Sequence, residues 1–93
     1  MDHERLLSEL LGAARKLGLR VRIEPFDAAS PNAGGVCKLE GRHLVLIDAR
    51  AGTMDQALAL ARALSGFDHE SVYLAPEARR YIHAESKVRR MNR

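Results

Sequence analysis

What this 93-residue chain lacks narrows its nature first. It has no tryptophan, two tyrosines and two phenylalanines, so its core has to be assembled from Leu, Val, Ile and Ala. Its single cysteine, Cys37, excludes an internal disulfide and fits a reducing compartment. No apolar run approaches the roughly 20 residues that cross a bilayer. The charged start Met1-Asp2-His3-Glu4-Arg5 is unlike a secretory leader. These absences predict a cytoplasmic protein without a membrane partner.

The chemical motifs are missing as well. Gly34-Gly35 precedes a strand pattern rather than a helix and carries no Lys-Ser/Thr, so it is not a phosphate loop. His3, Cys37, His43, His69 and His83 show no paired short spacing of the zinc-site kind. His69-Glu70 begins like His-Glu-x-x-His, but Tyr73 stands where the second histidine belongs, and the stretch reads as loop and strand. The reading from spacing is surface histidines, no metal and no cofactor. Glu24, Asp27, Glu40 and Asp48 offer no spacing that singles out an acid/base pair; Asp48 is placed to cap a turn.

What is present is periodicity. Leu6, Leu7, Leu10, Leu11, Ala14 and Leu17 recur at helical spacing, and Gly18 follows as a cap, predicting a helix over about residues 3–17. Leu19-Arg20-Val21-Arg22-Ile23-Glu24 alternates as a strand, with arginines suited to an edge, and Pro25 ends it. Residues 25–35 form the longest irregular stretch. A hairpin follows: Val36-Cys37-Lys38-Leu39, a turn near Glu40-Gly41, and the return His43-Leu44-Val45-Leu46-Ile47-Asp48. The continuous apolar run of that return predicts the most buried strand.

Thr53-x-x-Gln56 has the form of a capping box for a second helix ending near Ser65, with Gly66 as its cap. Ser71-Val72-Tyr73-Leu74 is a candidate fourth strand, and Pro76 suits the first position of a third helix with a stripe of Ala78, Tyr81, Ile82 and Val88. The expected fold class is α+β: a small, mainly antiparallel sheet of three to four strands with helices on one face, in the order α-β-β-β-α-α. Residues 1–76 read as a single domain. Residues 77–93 read as a basic C-terminal helix of the same domain, fraying at its end. The expected core is Leu7, Leu10, Leu11, Val21, Ile23, Leu44, Leu46, Leu60, Leu64 and Ile82.

Helix, strand, loop, hairpin and Ala/Leu-rich helix, carried by Leu17-Gly18-Leu19-Arg20-Val21, Gly34-Gly35-Val36 and Leu44-Val45-Leu46-Ile47-Asp48, resemble the core of ImmA/IrrE-type, zincin-like metallopeptidase domains over about residues 5–66. The resemblance would place two metal histidines at Arg62 and Gly66 and a catalytic glutamate at Ala63. None of the three matches. What the resemblance implies is therefore a scaffold without the metal or the catalysis, and fold alone does not supply a function.

Three functional readings follow. The first is a non-catalytic domain that binds another protein or itself, with Arg20, Val21 and Arg22 as an interaction edge where a partner adds a strand. The second is a weak electrostatic nucleic-acid binder. Its basic patch would be Arg79, Arg80, Lys87, Arg89, Arg90 and Arg93: residues 77–93 carry +4 while residues 1–76 carry −1. Interleaved stacking aromatics are scarce there. The third is an enzyme using Cys37 and His43 as a thiolate–imidazole pair. Against it stands the habit of cysteine to fill cores.

Overall fold

The computed structural model describes residues 1–26 and 34–91, with side chains to Lys87. Helix α1 spans His3–Lys16, followed by strands β1 (Arg20–Glu24), β2 (Gly34–Leu39) and β3 (Arg42–Asp48), helix α2 (Thr53–Leu64), a 3-10 turn (His69–Ser71) and helix α3 (Pro76–Met91). This is an α+β fold, as its periodicities predict.

Local chemistry sets the boundaries. The Asp2 carboxylate accepts from the Arg5 amide at 2.8 Å, capping α1. At the other end Gly18 takes φ +76°. Its amide donates to Arg15 O and that of Leu19 donates to Ala14 O. These two bonds stop the helix and turn the chain into β1. Glu40 and Gly41 both take positive φ, the geometry of a two-residue hairpin turn whose twist matches the strands it joins.

The capping box does not form. Gly52 occupies the cap without a side-chain bond, and Thr53 is already inside the helix. Gln56 instead donates from Nε2 to the Asp48 carbonyl at 2.9 Å, tying α2 to the end of β3. Pro76 does open α3, where its missing N–H costs nothing.

The sheet departs from expectation. Its order is β1-β3-β2. β2 pairs antiparallel with β3, but β1 pairs parallel with β3, Arg20 opposite Leu44 and Glu24 opposite Asp48. The sheet is therefore mixed rather than mainly antiparallel. It has three strands among the described residues; Val72 is extended but pairs with no strand, so the expected fourth strand is absent there. β3 lies in the centre, as its apolar run requires.

One face of this sheet carries the helices. Val45 and Ile47 of β3 are fully buried with Leu10 of α1, Leu60 and Leu64 of α2, and Ala78 and Ile82 of α3. Gly34 makes the close approach possible. A Cβ there would stand 2.7 Å from Leu46 O and 3.0 Å from the Ala59 Cβ of α2. The helix layer is narrow, however. Val21 is half-buried, and Ile23, expected inside, is 46 % exposed. Leu7, Leu11 and Leu46 are also only half-buried. No described helix is long and apolar enough to cross a membrane.

Candidate functional site

Strand β1 is an edge. Among the described residues it pairs only with β3, so the backbone groups on its other side meet no strand. Side chains alternate across a strand. Arg20, Arg22 and Glu24 accordingly lie on the face opposite the helices, beside Leu44, Leu46 and Asp48 of β3 and the β2 residues Gly35, Cys37 and Leu39 that share their register. Val21 is turned toward the helices and packs on the core. Thus the edge residues singled out from sequence do stand together at one margin of the sheet, with Arg20 and Arg22 exposed and Val21 half-buried.

Asp48 holds this margin in shape. Its Oδ1 accepts from the Phe26 amide at 3.1 Å and the Arg50 amide at 3.0 Å. One carboxylate therefore clamps the exit of β1 and the turn after β3, the turn-capping role its position suggested. The amide of Arg50, then that of Phe26, hold its pKa below the ordinary carboxylate value, because both bonds favour the charged form.

The thiolate–imidazole pair does not assemble. In register Cys37 sits opposite Leu44 while Lys38 sits opposite His43, which puts the thiol and the imidazole on opposite faces of the hairpin. Cys37 is exposed rather than a core filler. β2 is an edge strand, and the helices do not cover its outer face. His43 packs edge-on against Phe67, ring centroids 4.9 Å apart.

The basic patch is thinned by the fold. Arg79 turns inward and donates from Nη2 to the Val72 carbonyl at 3.1 Å. Arg80 and Lys87 are exposed. The side chains of Arg89 and Arg90 lie outside the described residues, as does Arg93 altogether. Of the positions to which the metallopeptidase resemblance would assign a metal histidine and the catalytic glutamate, Arg62 pairs with Glu85 of α3 at 3.2 Å and Ala63 is buried in the core.

What spacing missed is a cluster at the junction of α2 and α3. His69, Glu70 and His83 bring ligand atoms within 4.8 Å of one another. His69 and Glu70 come from the 3-10 turn and His83 from the second turn of α3, so the sequence signal is split between two elements. No local motif reports it.

Searches against family models, curated proteins and solved structures found no match to this chain.

Proposed function

We propose that this chain is a small non-catalytic interaction domain whose β1 edge takes up an extended, acidic segment of another protein. The observation that supports the reading is the edge itself. It joins backbone groups that meet no strand among the described residues to two exposed arginines on one face and an exposed Ile23 on the other. A segment added beside β1 gains ladder hydrogen bonds from the backbone and selectivity from alternate side chains. Acidic residues at every second position would face Arg20 and Arg22. Cross-strand pairs of opposite charge contribute about 0.2–1 kcal/mol each.

A second copy of the chain fits less well. Antiparallel self-pairing about the middle of the strand sets Arg22 against Arg22, and like charges directly opposite are destabilising. The setting this reading takes is the reducing cytoplasm, where the exposed Cys37 remains a thiol.

Affinity capture from lysate, with and without nuclease, followed by mapping of the captured protein to peptides, tests it. An acidic peptide should bind, and the Arg20→Glu/Arg22→Glu double variant should weaken it about tenfold, as loss of two cross-strand charge pairs implies. Both arginines are exposed, so the variant keeps its fold. Val21→Pro should also weaken binding by removing a backbone donor from the strand. Unchanged affinity in the charge-reversed variant sinks the proposal. Capture that collapses with nuclease instead shifts the function to the basic residues of α3.

A further inference from the structure

The cluster at the α2–α3 junction is built in a way that surface ion pairs are not. After α2 the chain tightens. The Gly66 amide donates to Ala63 O, that of Phe67 donates to Leu64 O, and the His69 amide reaches back to Phe67 O at 2.8 Å. The same carbonyl lies 3.1 Å from His69 Nδ1. A carbonyl only accepts, so this bond places the proton on Nδ1 and leaves the lone pair of Nε2 as the one available to a metal. Orientation of an imidazole by a backbone carbonyl is the usual support of a metal-binding histidine.

Glu70 and His83 complete the group. Glu70 Oε1 lies 3.5 Å from His83 Nε2. The His69 and His83 rings stand edge-on with centroids 5.7 Å apart. A Glu–His ion pair needs only two of these residues; the third, with its own hydrogen-bonded ring, adds nothing to it. Two neutral imidazoles and one carboxylate are, by contrast, a recurrent donor set for zinc.

We propose that His69, Glu70 and His83 bind a divalent transition ion, zinc foremost, through three protein ligands with the remaining position open to water. Zinc bonds of about 2.0–2.2 Å to nitrogen and oxygen set neighbouring ligand atoms about 3.3 Å apart in a tetrahedron. The ligand atoms now lie within 4.8 Å of one another, so binding requires side-chain rotation that draws them together. Glu70 and His83 have the freedom for it, their side chains being 64 % and 51 % exposed. The ion would staple the 3-10 turn to α3. Hard cations such as Mg²⁺ are poor occupants, since they prefer oxygen donors. This site lies on the helical side of the molecule and does not depend on the reading of β1.

The test is titration of the metal-stripped full chain with Zn²⁺ against a chromophoric chelator, repeated with Mg²⁺, together with visible absorption of the Co²⁺-loaded protein. The expected result is one zinc per chain, no competition from Mg²⁺, and intense four-coordinate cobalt bands. His83→Ala and Glu70→Gln should each weaken zinc at least about tenfold, the lower end of what even supporting residues contribute. His3→Ala, outside the group of three, should leave binding unchanged. Both cluster substitutions fall at exposed positions, and alanine favours a helix, so circular dichroism should be unaltered. Absence of stoichiometric zinc, or zinc affinity indifferent to His83→Ala and Glu70→Gln, overturns the proposal.

Discussion

The two faces of the sheet follow different rules although the same strands build both. On the helix-covered face Val45 and Ile47 are fully buried and Gly34 admits α2 to close range. On the other face the central strand still hides Leu44, which lies in register between Arg20 and Cys37, while its flanks present Arg20, Arg22, Cys37 and Leu39 to solvent. The covered face is specified by volume. The open face carries exposed charge at its margin.

The largest expected contrast is between one buried and one exposed aliphatic side chain of the hairpin. Ile47→Ala should destabilise by about 2–5 kcal/mol, transfer and cavity terms together, whereas Leu39→Ala should stay within about 0.5 kcal/mol. Chemical denaturation midpoints of the two variants decide this, and equal losses would mean that something covers the open face in solution.

Neighbouring glycines give a sharper version of the same contrast. Gly34→Ala places its Cβ 2.7 Å from backbone oxygen, so the strand or helix must shift, at a cost of about 1–3 kcal/mol for overpacking. Gly35→Ala meets nothing within 4 Å. It should stabilise by up to about 1 kcal/mol through the lost freedom of glycine in a strand. A matching pair of thermal midpoints would contradict the assignment of the two positions to opposite faces.

The smallest effect concerns pH. Asp48 is held below its ordinary pKa of 3.8. Its contribution is therefore fully present above that value and is lost as pH falls from there through the lower folded-state pKa. Asp48→Asn keeps an acceptor oxygen but not the charge. It should lower stability slightly at neutral pH and flatten the acid side of the stability–pH curve below 3.8. An unchanged acid slope would remove Asp48 as a source of that dependence.

Local signals were readable in the chain because they are local. Gly18 and Pro76 mark helix ends, and Glu40-Gly41 marks the hairpin turn. The unbroken apolar run of β3 announces its central place. Strand alternation, however, is the same whether a neighbour runs parallel or antiparallel, so Arg20–Glu24 carried no sign of its direction against β3. Ile23 obeys the alternation and still lies exposed, because the helix layer does not extend over it. Cys37 defeated a statistical expectation: the burial habit of cysteine says nothing about which strand lies at an edge.

The candidate site shows the same division. Arg20, Val21 and Arg22 were legible as an edge from charge alternation within one strand. His69, Glu70 and His83 were not legible as a group, because the chain passes through Val72 and the Pro76 start of α3 before His83 returns to the first two. Gln56 looked like a capping residue by its spacing from Thr53. The Asp48 carbonyl, brought near by tertiary structure, took its side chain instead.

The parallel pairing of β1 with β3 also differs from the hairpin in how much chain it must close. The β2–β3 hairpin closes through a two-residue turn, whereas β1 must wait for the whole intervening chain to fold back before it finds its register. Hairpins form in about 1–10 μs, and pairings distant in sequence come with a larger entropic barrier. The strand proposed to take up a partner is thus the one whose pairing with β3 closes the longer stretch of chain.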